Sequence, residues 1–161
     1  MAELTQKERL QPSLLDRLTD DEPTKTVEPR EKRVLSLTRL RQSVNRDLVW
    51  LLNTGYLETI QDLSAYPHVR QSVLNFGIPD ITGSTISSAD RTVLERILRQ
   101  AILTFEPRIL KNTLKVRTKA GGEHNTVVFE IEGELWAQPL PEHLYLKTIL
   151  DLELGSVDIE A

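Results

Sequence analysis

The sequence predicts an α+β domain: N-terminal amphipathic helices packed on one face of a C-terminal antiparallel β-sheet, with an extended N-terminal arm. Two changes of period carry this prediction. Apolar residues recur at three- and four-residue spacing through 33–53 and 88–105, as in amphipathic helices, and beyond Leu114 the period falls to two, as in half-buried strands. A third observation marks the junction. In Phe105-Glu106-Pro107-Arg108 the proline disfavours helical geometry at Glu106 and fixes its own φ, so the helical half must end there. Helices first and strands last place the helices together against one sheet face.

Residues 1–32 hold Pro12, Pro23, Pro29 and the acidic run Asp20-Asp21-Glu22, a composition that buries little core and reads as an extended arm. Within it, Pro12-Ser13-Leu14-Leu15-Asp16-Arg17-Leu18 can form one or two helical turns with Leu14, Leu15 and Leu18 on one side. Three leucines exceed what a solvated tail needs. They either fold back on their own domain or dock on another chain.

The domain proper is expected over 33–161. Its first helix, Arg33 to Asn53, turns Val34, Leu37, Leu40, Val44, Leu48, Leu51 and Leu52 inward and stops at Asn53 and Gly55. A shorter helix covers Pro67 to Asn75 with Val69, Val73 and Leu74 inward, followed by an ordered loop, Gly77 to Gly83, anchored by Ile78 and Ile81. The third helix, Ser88 to Phe105, opens on a capping-box pattern, Ser87 with Asp90, and buries Val93, Leu94, Ile97, Leu98, Ala101, Ile102 and Phe105.

Leu114 and Val116, a turn at Gly121-Gly122, and then Val127, Phe129 and Ile131 describe a hairpin. After Pro139 and Pro141 a strand runs through Leu150, Leu152 and Leu154, Gly155-Ser156 turns, and Val157 with Ile159 adds a short last strand. The edge strand either pairs with a strand from another chain or is blunted by Glu153, Asp158 and Glu160. Trp50 and Trp136 read as core or rim packing.

The 161 residues are the usual size of one domain. With 20 Lys and Arg against 24 Asp and Glu, the net charge of −4 offers no general attraction to nucleic acid or an anionic membrane. Cysteine is absent, which excludes disulfides and thiolate metal sites. His68, His124 and His143 lie too far apart in sequence for a local zinc motif, so no metal or cofactor is expected. No segment approaches the ~20 apolar residues of a spanning helix, and no leader pattern opens the chain, so a cytoplasmic protein is expected.

No phosphate-binding glycine loop, GxSxG elbow or HExxH helix occurs. A glycosidase needs only two suitably separated acids, for which Glu106 with Glu130 or Glu132 are the candidates. Acids alternating with apolar strand residues are ordinarily the solvent face of a sheet. At the corner, these residues by themselves favour Arg108 as a helix-terminal cation with Glu106 as its ion-pair partner over a pair that addresses a protein partner from a stiff turn.

Four segments in order resemble the TssE branch of the GPW family of phage-tail baseplate wedge proteins, found in type VI secretion systems. They are Pro12 to Asp20, Asp47 to Thr54, Ser72 to Asp80, and Phe105 to Arg108. The resemblance implies a non-enzymatic assembly component of the cytoplasmic baseplate, docked at the inner membrane complex. It implies wedge partners of the TssF and TssG type, contacted through Glu106, Pro107 and Arg108. An arm carrying Leu14, Leu15, Arg17 and Leu18 would clasp a neighbour, and strands from about residue 125 would template sheath subunits of the TssB/TssC type by β-strand addition. The family has also been labelled lysozyme-like, so the alternative is a glycoside hydrolase acting on peptidoglycan.

Overall fold

The computed structural model describes residues 13–19, 23–24, 37–80, 88–119, 126–137 and 141–160. Most of the expected arm, the expected boundary at residue 32, the Ser87 cap, the Gly121-Gly122 turn and the Ile81 anchor lie outside them. Within them the fold is α+β, as the two periods require.

A short helix α1, Leu14–Leu18, is capped by Ser13, whose hydroxyl accepts from the Asp16 N–H. Helix α2, Leu37–Leu52, buries Leu40, Val44, Leu48, Leu51 and Leu52, while Leu37 at its start is exposed. After a 3-10 turn at Leu57–Thr59 come α3, Pro67–Arg70, and a second 3-10 turn, Val73–Asn75. Helix α4, Ser88–Phe105, buries Leu94, Leu98, Ala101 and Ile102.

Four strands form an antiparallel meander in the order β1 (Lys115–Lys119), β2 (Thr126–Leu135), β3 (Glu142–Asp151) and β4 (Val157–Glu160). Val127, Phe129, Ile131 and Leu135 of β2 and Leu144, Leu146 and Leu150 of β3 point into one core with α2 and α4. The alternate residues Glu130, Glu132 and Glu134 face the other way. Among the described residues no helix is long and apolar enough to cross a membrane.

Four expectations are corrected, the first being Leu37, expected inward and 44 % exposed. Val73 and Leu74 are exposed rather than inward; the segment breaks at residue 71, and the buried residue is Asn75. Its amide accepts from the Glu58 N–H at 2.9 Å and donates to the Arg70 carbonyl at 3.0 Å, satisfying two loop backbones at once. Leu152 and Leu154 belong to a turn, not a strand: the Asp151 carboxylate accepts from the N–H groups of Glu153 and Leu154, and Gly155 takes a left-handed φ of 65°. Val93, expected inward, is 44 % exposed, so the buried stripe of α4 is narrower than its sequence pattern.

Candidate docking surface

The corner is fixed first by its backbone. The Glu106 N–H completes the last helical bond to Ile102 at 2.8 Å, and Pro107, lacking an N–H, cannot continue the ladder. The chain then runs beside the end of β2, with Trp136 N–H donating to Arg108 O at 2.7 Å and Leu110 N–H to Glu134 O at 2.8 Å. Arg108 is thereby held over α2.

All three of its guanidinium nitrogens are engaged. Nε donates to Glu106 Oε1 at 2.6 Å, Nη1 to Ser43 Oγ at 2.8 Å, and Nη2 bridges Asp47 Oδ2 and Glu106 Oε2. Glu106 is only 3 % exposed, and Oε1 also accepts from the Arg108 N–H at 3.1 Å. Burial works against the Arg108 charge, but Glu106 and Asp47 outweigh it and raise the pKa further above its ordinary value.

The same charges continue to the arm. Asp47 Oδ1 meets Arg46 Nη2 at 2.8 Å, and Arg46 Nη1 meets Asp16 Oδ1 at 2.9 Å. The other Asp16 oxygen accepts from Ser43 at 2.7 Å and Ser13 at 2.6 Å. Burial alone would raise the Asp16 pKa; hydrogen bonds from Ser13, Ser43 and Arg46 reverse this and hold it at about 2. Two guanidiniums and three carboxylates thus tie α1, α2 and the corner together.

Pinned through Asp16, α1 turns its apolar residues outward: Leu14 is 70 %, Leu15 42 % and Leu18 74 % exposed. The side chain of Arg17 lies outside the described residues. Pro107 is exposed beside the buried Glu106. Of the expected site, the structure brings Glu106 and Arg108 together in an internal lock, to which Asp16 of α1 is linked, and leaves Pro107 and the leucines at the surface. Sequence reading did not single out Asp16, Ser43, Arg46 or Asp47. The available signal was a serine and adjacent opposite charges beside the apolar stripe of α2.

The carboxylates proposed for hydrolysis are not paired. Glu106 faces α2, whereas Glu130 and Glu132 lie on the opposite sheet face. Glu130 is bonded by Lys119 and by the Tyr145 hydroxyl, which lower its pKa, the reverse of what a general acid requires.

Among the solved structures similar to the chain are two baseplate- or tail-related proteins. One is a chain of the baseplate complex from the type VI secretion system, at 20 % identity and a TM-score of 0.47, covering 70 % of this chain and 94 % of that one. The other is a putative tail lysozyme from Geobacter sulfurreducens, at 17 % identity and a TM-score of 0.48, covering 71 % and 94 %. No match to a curated protein sequence is found. Residues 38–140, well over half the chain, match the model of baseplate wedge protein gp25, and the chain belongs to that family.

Proposed function

We propose that the chain is a structural, non-catalytic component of a type VI secretion baseplate wedge. It docks on TssF- and TssG-type subunits and templates the first ring of a contractile sheath of TssB/TssC-type subunits by β-strand addition, in the cytoplasm at the inner membrane complex. The gp25 family match carries the baseplate role. The arm over residues 1–32 clasps a wedge neighbour through Leu14, Leu15 and Leu18, whose exposure on a pinned helix supports this reading, and Arg17 lies in the same helix. A large apolar patch held in one conformation loses little freedom on binding.

Pro107 and the rim of Arg108 supply the corner's outward surface, and Glu106 acts by holding Arg108 in place. Co-expression with TssF- and TssG-type subunits tests the arm directly. Leu14→Ser/Leu18→Ser should keep the melting temperature within about 2 °C of wild type, because both side chains are already exposed, and should lose co-purification with the wedge and sheath assembly in cells. Normal wedge recovery from this variant refutes the arm's role. Release of peptidoglycan fragments by the purified wild-type chain would instead support the hydrolase reading.

A further inference from the structure

Both outer strands of the sheet are partly closed by helix side chains, and the two closures differ in chemistry. In an antiparallel strand the N–H and C=O of one residue point to the same side, and the side alternates along the chain. On β4 the outward pair of Val157 is taken by the side-chain amide of Asn53 at the end of α2. Val157 N–H donates to Asn53 Oδ1 at 2.9 Å, and Asn53 Nδ2 donates to Val157 O at 2.9 Å. This is the two-bond ring that a neighbouring strand residue would make. Ile159 has the same outward orientation, and among the described residues nothing takes its groups.

On β1 the outward groups are bracketed by α4. Glu95 Oε1 accepts from the Thr118 N–H at 2.6 Å and its hydroxyl at 2.7 Å, and Arg99 Nε donates to the Leu114 carbonyl at 3.4 Å. Among the described residues nothing takes the outward groups of Val116 between them. A carboxylate holds an N–H roughly twice as strongly as a neutral amide does. An arriving peptide group can replace Asn53 bond for bond, whereas displacing Glu95 exchanges charge-assisted bonds for neutral ones.

We propose that β4, and not β1, is the edge that accepts an added strand, and that the Asn53 amide stands in for that strand's peptide group until it arrives. The inference rests on the strand-addition reading above and specifies the partner chemistry. Inward-facing residues of the added strand lie beside Val157, which is buried, and Ile159, which is packed against the core, so they must be apolar. Outward-facing residues lie beside Asp158, which has no partner among the described residues, and Glu160, which meets Lys147 at 2.7 Å. Basic residues complement those acids, because opposite charges across adjacent strands attract. The occupant is therefore an extended segment alternating apolar and basic residues.

The test uses the full chain and a fluorescent peptide of about ten residues alternating lysine and valine, with a glutamate–valine peptide as control. Anisotropy should show saturable binding of the first peptide alone. Amide exchange should slow at Val157 and Ile159 and stay unchanged at Val116. Ile159→Pro removes an N–H that faces away from β3, which an edge strand tolerates, and should weaken binding at least about tenfold. Val116→Pro should leave binding unchanged, and Asn53→Ala, which frees the Val157 groups, should tighten it by about threefold or more.

If Ile159→Pro perturbs folding, the exchange pattern in the wild-type chain decides alone. No binding of the lysine–valine peptide, equal binding of the glutamate–valine peptide, or protection at Val116 overturns the proposal. Peptide binding at β4 together with normal sheaths from the Ile159→Pro variant in cells sinks the sheath role and leaves the edge assignment standing.

Discussion

Replacing Arg108 with alanine separates an internal lock from a surface address. In the native chain the guanidinium reaches both oxygens of Glu106, a carboxylate 3 % exposed, and Asp47 and Ser43 as well. Without it, Glu106 keeps only the N–H of residue 108, and a charge remains in a nearly dry site. Breaking a buried ion pair from one side costs about 3–5 kcal/mol. Arg108 keeps 20 % of its side-chain surface, so water partly relieves the vacancy, and the lower end, about 3 kcal/mol, is expected. For a chain of this size that is a fall of roughly 6–12 °C in melting temperature. Thermal unfolding followed by circular dichroism at neutral pH measures it. The Glu106→Leu/Arg108→Leu variant, which leaves neither charge stranded and leaves Asp47 on Arg46, should recover at least about half of the loss. An Arg108→Ala melting temperature within about 1 °C of wild type would refute the lock and return the pair to the status of an exposed one.

Three further outcomes follow from the geometry. The folded-state pKa of Asp16, about 2, lies below its unfolded value, so its hold on α1 is present above about pH 4 and lost as pH falls through about 2. The protection of the Thr19 amide against exchange, relative to its intrinsic rate at each pH, should therefore fall over that window before the sheet opens, since its N–H bonds Leu15 O at 3.0 Å, and constant protection would contradict it. Gly77 has a φ of 125°, and a Cβ there would sit 2.2 Å from the Thr54 carbonyl oxygen, which accepts the Ile78 N–H, so Gly77→Ala should cost at least about 2 kcal/mol in denaturant unfolding. Thr148 is 1 % exposed with no partner for its hydroxyl among the described residues, so Thr148→Val should raise stability by about 1 kcal/mol; a loss would reveal a bonded hydroxyl.

The stripes of α2 and α4 and the alternation of β2 were legible because period reports burial directly: Leu40, Val44 and Leu48, or Val127, Phe129 and Ile131, can share a side only in one regular conformation. Period misled where a side chain bonded the backbone. Leu150, Leu152 and Leu154 alternate perfectly, yet the Asp151 carboxylate collects the next N–H groups and turns the chain. Asn75 did the same between Glu58 and Arg70. The corner was legible as a stiff turn with two charges, since proline chemistry is local. Its partners were not, because Ser43 and Asp47 come from 65 and 61 residues earlier and meet Arg108 only after α2 and α4 pack together. The carboxylate pairing considered for hydrolysis failed for the same reason, since sequence does not say on which side of a sheet a preceding corner will lie.

Helix α2 connects both proposed contact surfaces, and its length decides whether they act independently. Ser43, Arg46 and Asp47 hold the corner and α1, and Asn53 holds β4. From Asp47, the network residue nearest along α2, to Asn53 is six residues, or about 9 Å along a helix axis. Sites farther apart than roughly 7–10 Å with no shared partner usually contribute additively. Asn53 bonds only Val49 and Val157 among the described residues, neither of them in the charge network, so its removal should change strand binding at β4 and leave arm-dependent wedge binding intact, while Leu14→Ser/Leu18→Ser should do the opposite. The change in thermal stability of the combined variant should then equal the sum of the two separate changes, to within about 0.5 kcal/mol. A larger departure would mean that α2 moves as a coupled lever between arm and sheet, because a rigid connector transmits no energy between surfaces it merely holds apart.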